Sequence, residues 1–178
     1  MNSFHTGGEN EIRDSFEALR MIPDQPVNLL DISIRRAQSS DSEFAYEALL
    51  TMRPYVESTW GGWLEVDGRA RTASDAQAGR SQIVELASVP VALLCVDKFE
   101  THLQLDQLYV IPAYQRRGIG AYVLGLVLAD ARKSRIPVRL RVLRVNPARH
   151  FYQRHGFKVM SETAERFFME HPVTNSPT

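Results

Sequence analysis

The stretch that decides the fold reads Gln115-Arg116-Arg117-Gly118-Ile119-Gly120. Before it lies an apolar, alternating run at residues 103–110, which has the period of a β-strand. After it, apolar residues recur with the spacing of one helical face: Ile119, Tyr122, Val123, Leu126 and Val127. The sequence therefore predicts a strand, a short basic loop with two glycines, and a helix.

This loop has the properties of an anion-binding site. The first N–H groups of a helix have no partner in the helix, and the helix dipole adds about half a positive charge there. Gly118 and Gly120 lack a Cβ atom, so a ligand can approach their backbone closely, and Arg116 and Arg117 add positive charge. We expect a bound diphosphate or polyphosphate group.

Two common phosphate-binding loops are excluded by the residues that follow. A P-loop has Lys and then Ser or Thr after its last glycine, where this chain has Ala121 and Tyr122. A dinucleotide-binding loop needs a third glycine at position 123, which is Val123. A basic surface turn without a ligand is the remaining alternative for the loop taken by itself.

The pattern Q-x-x-G-x-G after an apolar strand and an x-P-x-Y segment resembles the acetyl-CoA signature of the GNAT superfamily of N-acetyltransferases. A second stretch resembles the C-terminal part of that family: Asn146-Pro147-Ala148, then Phe151-Tyr152 and His155-Gly156-Phe157. The resemblance covers about residues 32–170. Within the family, Pro54-Tyr55-Val56-Glu57 with Trp60-Gly61 resembles a poorly characterised bacterial subgroup with a P-Y-V-E-x-x-W-G stretch.

The order of the predicted elements agrees with the α/β (α+β) fold of this family. Strands are predicted at residues 31–36, 82–86, 91–98, 102–110 and 138–142, helices at 42–53, 119–134 and 147–155, and a closing hairpin at 157–160 and 166–169. Residues 54–62 are predicted to connect elements, and residues 63–78 to form a weak helix or a loop. We expect a mixed, mostly antiparallel sheet of about six to seven strands, flanked by helices. Its strands before and after the 119–134 helix would be parallel and splayed.

The composition is that of an ordinary globular protein, since 44% of the 178 residues are apolar and 24% are charged. We expect one domain at residues 30–171, between an N-terminal extension (1–29), partly disordered or a short helix, and a flexible tail (172–178). Acidic and basic residues balance at 21 each, which disfavours a chain-wide attraction to nucleic acids or membranes.

The single cysteine and the lack of long apolar runs bear on the compartment. Cys95 has no second cysteine to pair with, which suits a reducing environment. No stretch reaches the roughly 18 apolar residues of a membrane span, and the acidic N-terminal residues do not fit a secretory signal. A cytoplasmic protein is the resulting expectation.

The resemblance implies acetyl-CoA as co-substrate, without a metal. The coenzyme A pyrophosphate would lie on the loop residues Gln115, Arg116, Arg117, Gly118, Ile119, Gly120 and Ala121. The pantetheine arm would pair with Leu108, Tyr109 and Val110, and the N–H of Val110 or a neighbour would polarise the thioester carbonyl. Asn146 would contact the pantetheine amide, cap its helix or do both, and Phe151 would complete the site.

The resemblance assigns Tyr152 as the acid that protonates the leaving thiolate. Family members with a strand glutamate carry it at the position of Gln104, and glutamine cannot accept a proton. Two alternatives stay open: Asp106 as the base, or a water relay acting on an α-amine-like acceptor. At pH 7 an α-amine of pKa ~7.8 is neutral roughly 14% of the time, whereas an alkylamine of pKa ~10.4 is neutral about once in 2,500 molecules.

The acceptor pocket is expected at Tyr55, Glu57, Trp60 and Gln104, with Trp63 nearby and with structural packing as the alternative for Trp60. Glu57 and Asp106 would favour a cationic acceptor. The expected activity is acetyl transfer from acetyl-CoA to a primary amine of a small molecule, amino-acid-like compound or peptide, by direct attack in a ternary complex. A catalytically silent acyl-CoA-binding regulatory module is the alternative. The balanced charge disfavours a nucleic-acid binder, no membrane partner is expected, and a homodimer is left open.

Overall fold

The computed structural model describes residues 27–173. Most of the predicted extension (1–29) and tail (172–178) lies outside these residues, so both boundaries stay predictions. Within the described part there are seven strands, five helices and short 3-10 turns at Leu29–Asp31, Ser39–Asp41 and Pro112–Tyr114.

The strands and helices are numbered in chain order. The strands are β1 (Ile32–Arg36), β2 (Ser81–Leu86), β3 (Val89–Lys98), β4 (Leu103–Val110), β5 (Val138–Leu143), β6 (Lys158–Glu162) and β7 (Arg166–His171). The helices are α1 (Ser42–Leu50), α2 (Arg53–Trp60), α3 (Glu65–Gln77), α4 (Ile119–Ser134) and α5 (Ala148–Arg154).

All seven strands form one mixed sheet in the order β1-β2-β3-β4-β5-β7-β6. Neighbours are antiparallel except β4 and β5, which run parallel because α4 crosses from one to the other. The final hairpin folds back so that β7 lies beside β5. The predicted fold class, the number of strands and the parallel pair are therefore confirmed.

The parallel strands β4 and β5 separate soon after they begin. They pair only at Leu103–Leu105 and Val138–Leu140, and in the described part of the chain residues 107–110 pair with β3 alone. Asp106 is also the extra residue of a β-bulge, because Cys95 pairs with Gln107 and Val96 with Leu105. Bulges bend a strand and redirect its side chains. The sheet thus opens into a V at Asp106.

The glycine loop is anchored by the core on both of its sides. Tyr114 before the loop and Ile119, Val123 and Leu124 after it are each at most 1% exposed. α4 packs against β4 and β5, while α1 packs against β3, β4 and α3. Well-packed interiors have little freedom to deform, so the loop backbone is held in one geometry.

Residues 54–62 were predicted to connect elements, and this prediction was wrong for most of them. Pro54 lies in the first turn of α2, where its missing N–H costs no helical hydrogen bond. Gly61, with φ of 78°, ends the helix. The predicted 42–53 helix ends earlier, at Leu50, and the weak helix at 63–78 is α3. The sequence pattern missed α2 because this helix has no fully buried residue and hence no apolar stripe.

None of the helices among residues 27–173 is both long enough and apolar enough to cross a lipid bilayer.

Candidate active site

The glycine loop reaches α4 through two residues in the left-handed region. Gly118 has φ of 84° and directly precedes the helix, and Arg116 has φ of 64°. A non-glycine residue in this region costs on the order of 1–3 kcal/mol and persists where the surrounding structure holds it. Gly118 is thus required for its conformation, and the strained Arg116 places this loop among candidate ligand-binding segments.

Gly120 differs from Gly118, because its φ is not positive and its effect is on space. A Cβ atom built there would lie 3.7 Å from Val110 Cγ2 and 3.8 Å from Phe151 Cζ. These are ordinary van der Waals distances, so the protein alone tolerates a larger residue. A side chain would instead fill the opening between the end of β4 and α5.

A groove of about 720 Å³ runs along this opening. It is lined by most of the residues predicted to hold coenzyme A: Leu108, Tyr109, Val110, Gln115, Arg116, Gly118, Gly120, Ala121, Asn146 and Phe151. Two predicted residues do not line it. The Ile119 side chain is in the core at 1% exposure, and the Arg117 guanidinium lies over the Tyr114 ring at 5.8 Å.

Two polar side chains fix the walls of the groove. Gln115 donates from Nε2 to the Val110 carbonyl at 2.8 Å, which ties the loop to the end of β4. Asn146 accepts from the Ala148 N–H at 2.8 Å, so its capping role is present. Its Nδ2 donates to Met52 Sδ at 3.4 Å. A thioether is a weak acceptor, so this amide can exchange Met52 for a ligand carbonyl at little cost.

Tyr152 lies on α5 between Phe151 and Phe157, with ring centroids 5.2 and 5.5 Å away, and it lines the groove. Burial, with a smaller contribution from Tyr109, raises the pKa of the Tyr152 phenol well above its ordinary value. Burial also raises the pKa of Tyr109 to about 12, and the positive charge of Arg71 partly opposes this increase. Both phenols are therefore protonated at neutral pH and can donate.

A second cavity of about 530 Å³ adjoins the groove. Both are lined by Met52, Leu105, Asp106, Tyr109 and Arg141, which form a shared boundary where the sheet opens. The other residues of the second cavity come from α1, α2, α3, β5, β7 and the α2–α3 connection: Leu49, Val56, Trp60, Trp63, Leu64, Asp67, Gly68, Arg71, Leu143 and Arg166. Such a pair of adjoining cavities can hold two substrates side by side.

The family comparison decides what kind of protein this is. Residues 79–159, which include the loop and most of the groove, match the family model described as the acetyltransferase (GNAT) domain. The chain carries an acetyltransferase domain of the GNAT superfamily. It is accordingly an acyltransferase that uses an acyl-CoA donor. The resemblance of residues 54–61 to one bacterial subgroup stays a prediction.

Solved structures share this GNAT fold. The PaiA N-acetyltransferase of Thermoplasma acidophilum, in complex with coenzyme A, is 22% identical, with a TM-score of 0.62 over 79% of this chain and 98% of that one. An acetyltransferase of Thermus thermophilus is 18% identical, with a TM-score of 0.65 over 83% and 99%. The ribosomal-protein-S18-alanine N-acetyltransferase of Escherichia coli is 20% identical, with a TM-score of 0.58 over 82% and 96%. No curated protein sequence matches the chain.

The predicted acceptor residues of this GNAT protein are dispersed. Trp60 lines the second cavity, whereas Tyr55 lines the groove along the glycine loop. Glu57 lines neither of these two cavities, because it pairs with Arg53 at 2.8 Å on the exposed side of α2. Gln104 donates to Asp106 at 3.3 Å and lines a third cavity beside β6 and β7.

Asp106, the candidate base, is held by several donors. Arg80 and Arg141 approach its two carboxylate oxygens at 3.2 Å each, and Gln104 adds its amide. The side chain of Asp106 is 12% exposed. Both carboxylate oxygens of Asp106 are therefore already in contact with side-chain donors.

One group of described residues has the spacing of metal ligands: Cys95, Asp97 and Asp106, with ligand atoms within 4.8 Å of one another. Arg80 already pairs with Asp97 at 2.9 Å and with Asp106 at 3.2 Å. Burial raises the pKa of the Cys95 thiol to about 11, which opposes the thiolate that a metal needs. The donor set does not fit a metal, and the metal-free site stays a prediction.

Sequence reasoning missed several residues of the second cavity, above all Met52, Arg71 and Arg166. No local motif marks them. They come from α1–α2, α3 and β7, and only the order of strands in the sheet brings them to the same cavity.

Proposed function

We propose that this GNAT enzyme transfers an acetyl group from acetyl-CoA to a primary amine by direct attack within a ternary complex. The observation that carries the proposal is the shared boundary at the opening of the sheet. One cavity reaches the glycine loop and Tyr152, and the other reaches an aromatic and charged chamber. The thioester of the donor and the amine of the acceptor would meet at this boundary.

The donor side follows from the backbone. Exposed N–H groups at the start of α4, with the dipole of a 16-residue helix, would hold the pyrophosphate. Arg116 adds a fixed charge at the groove wall. Beyond Leu105, the edge of β4 that faces away from β3 has no partner strand among the described residues. The backbone groups along this edge would pair with the pantetheine arm. Asn146 would supply its amide once Met52 moves away.

Tyr152 would act as the general acid. The reaction forms a C–N bond and breaks the C–S bond. One proton leaves the amine nitrogen, and the Tyr152 hydroxyl gives one to the thiolate. A phenol of pKa ~10 is about 2 kcal/mol too weak for a thiolate whose conjugate acid has pKa ~8.5. Burial weakens this acid further, but it also raises the basicity of a thiolate formed in the same groove.

The amine would reach the boundary in its neutral form, with a water relay rather than Asp106 removing the proton. Support comes from the charges of the acceptor cavity. Arg71, Arg141 and Arg166 line it, and nearby positive charge lowers the pKa of an ammonium group. The engaged carboxylate of Asp106 makes that residue an electrostatic anchor for the arginines in this proposal.

The test is a thermal shift with acetyl-CoA, followed by release of coenzyme A thiol across a panel of primary amines. Ligand binding raises the apparent stability by mass action. Cys95 is 0% exposed, so it adds no background to a thiol reagent while the protein is folded. We expect both stabilisation and turnover. Stabilisation without turnover on any amine would instead favour the catalytically silent acyl-CoA-binding module.

A further inference from the structure

The acceptor cavity carries more positive than negative charge at its lining. Three arginines face two aspartates there: Arg71, Arg141 and Arg166 against Asp67 and Asp106. Asp106 is already shared between Arg141 and Arg80, at 3.2 Å each. The cavity is therefore poorly suited to a purely cationic acceptor, which the sequence had predicted from Glu57 and Asp106.

Arg166, at the start of β7, is the arginine of this cavity whose guanidinium makes no ion pair with the described residues. It lies over the Trp60 ring at 5.2 Å, and no carboxylate of residues 27–173 lies within ion-pair distance of it. Nearby arginines are paired, since Arg139 on β5 contacts Glu170 at 2.7 Å and Arg144, just after β5, contacts Glu162 at 3.1 Å. A half-buried guanidinium without such a partner favours an anion.

Arg71 approaches the cavity from α3 and is also weakly paired. Its one ion pair with the residues that the structure describes, to Asp75, is long at 3.9 Å, and Asp75 is shared with Arg80 at 3.4 Å. The positive charge of Arg71 acts on the Tyr109 hydroxyl, which places its field at the boundary between the cavities. Two separate elements thus supply guanidinium groups to one chamber.

The remaining walls are apolar and aromatic. Leu49, Val56 and Leu143 line the chamber together with Trp60 and Trp63. Trp63 Nε1 donates to the Tyr46 hydroxyl at 3.3 Å, which orients that indole. A volume of about 530 Å³ suits one small molecule with an apolar body.

We propose that the acceptor is a small amino-acid-like molecule, with a carboxylate near its amine and an apolar or aromatic body. Arg166 and Arg71 receive the carboxylate, and the tryptophans contact the body. This inference rests on the proposed function and names its substrate class. Pairing the carboxylate with arginine also removes a negative charge that would raise the pKa of the amine, so recognition and activation of the acceptor act together.

The test compares amines that differ only by the carboxylate. The pairs are leucine with isoamylamine, phenylalanine with phenethylamine, and tryptophan with tryptamine, and kcat/KM is measured by thiol release. Spermidine and a peptide with a free N-terminus complete the panel. We expect kcat/KM for the favoured amino acid to be about tenfold or more higher than kcat/KM for its decarboxylated partner. One charge-assisted ion pair can supply a difference of this size. Equal or faster turnover of the decarboxylated amine, spermidine or the peptide would overturn the inference and leave the acetyltransferase intact.

Variants add a second readout. Arg166→Gln should raise KM for the carboxylate substrate about tenfold and leave KM for its decarboxylated partner unchanged. Arg139→Gln, on the same sheet but paired with Glu170, is the matched control and should change neither. If Arg166→Gln affects both partners equally, Arg166 is structural and the inference fails.

A binding measurement distinguishes failure of the proposed function from failure of this inference. If acetyl-CoA binds but no amine is turned over, the proposed function fails. The affinity of the coenzyme A complex for N-acetylphenylalanine, against N-acetylphenethylamine, then decides the inference by itself. A preference for the carboxylate that Arg166→Gln abolishes supports it, and equal affinities overturn it.

Discussion

The carboxylate of Asp106 lies 3.2 Å from the guanidinium of Arg141, across the point where β4 and β5 separate. Arg80 reaches the other carboxylate oxygen at 3.2 Å from the opposite side. Asp106 occupies this place because it is the extra residue of the bulge in β4. The contact joins the two strands where backbone pairing stops, so the ion pair bridges the opening between the groove and the second cavity.

The Asp106→Asn variant distinguishes between two roles of Asp106, as an anchor for the arginines or as the general base. The variant should keep kcat/KM within a few-fold of the value for the unmodified enzyme. In both proteins kcat/KM should rise with pH over the same range, because deprotonation of the acceptor amine causes this rise. The variant's free energy of unfolding should fall by only about 1 kcal/mol, since both arginines are exposed enough to be solvated. Asp97→Asn, which removes another partner of Arg80, is the control. A loss of a hundredfold or more in kcat/KM with loss of the rising limb would establish Asp106 as the base.

Tyr152→Phe tests the acid. We expect kcat to fall by about a hundredfold or more, while the dissociation constant of acetyl-CoA changes by less than about threefold. The phenyl ring keeps the contacts with Phe151 and Phe157. Tyr114→Phe is the matched control, because the Tyr114 hydroxyl is buried without a hydrogen-bond partner among residues 27–173. Equal losses in kcat and in affinity would contradict the acid role.

The pH dependence of kcat should have no falling limb below about pH 10. The acid acts in its protonated form, and the pKa of Tyr152 is raised above its ordinary value of 10.0, so deprotonation is delayed to higher pH.

The buried Cys95 thiol has its pKa raised from 9.0 to about 11, so its contribution to stability is full below pH 9 and is lost as the pH rises toward 11. Activity should therefore be measured beside a folding probe. A falling limb near pH 8 in a folded enzyme would exclude Tyr152 as the acid.

Ten of the twelve residues that the sequence predicted for coenzyme A line one groove, because the signals for them are local. Gly118 and Gly120 are adjacent to the helix they serve, and Asn146 caps the helix that directly follows it. The same reasoning failed for Glu57. Once residues 53–60 form a helix, Glu57 lies one turn from Arg53 and pairs with it on the exposed face.

The residues of the second cavity could not be predicted in the same way. Arg71 and Arg166 lie on α3 and β7, and they approach one chamber only because of the strand order in the sheet. Nor does a regular strand pattern reveal the bulge at Asp106, which moves the strand out of simple alternation. Long-range placement of this kind carries no periodic signal in the chain.

The start of α4 gives the sharpest test of the donor site. A Cβ atom at Gly120 would lie 3.7 Å from Val110 and 3.8 Å from Phe151, which is ordinary van der Waals contact, so the fold should survive a substitution. Gly125, five positions further along the same helix, is exposed and has no atom within 4 Å of a Cβ built there. The same substitution can therefore be made beside the groove, at Gly120, and away from it, at Gly125.

Gly120→Glu should abolish acetyl-CoA binding, because its side chain fills the groove and its carboxylate repels the pyrophosphate at the helix start. Gly125→Glu adds the same charge to the same helix and should keep affinity within about twofold. Calorimetric titration with acetyl-CoA measures both, and circular dichroism confirms that both are folded. If folded Gly120→Glu binds the donor as tightly as Gly125→Glu, the diphosphate is not held at this helix, and the assignment of the loop is wrong.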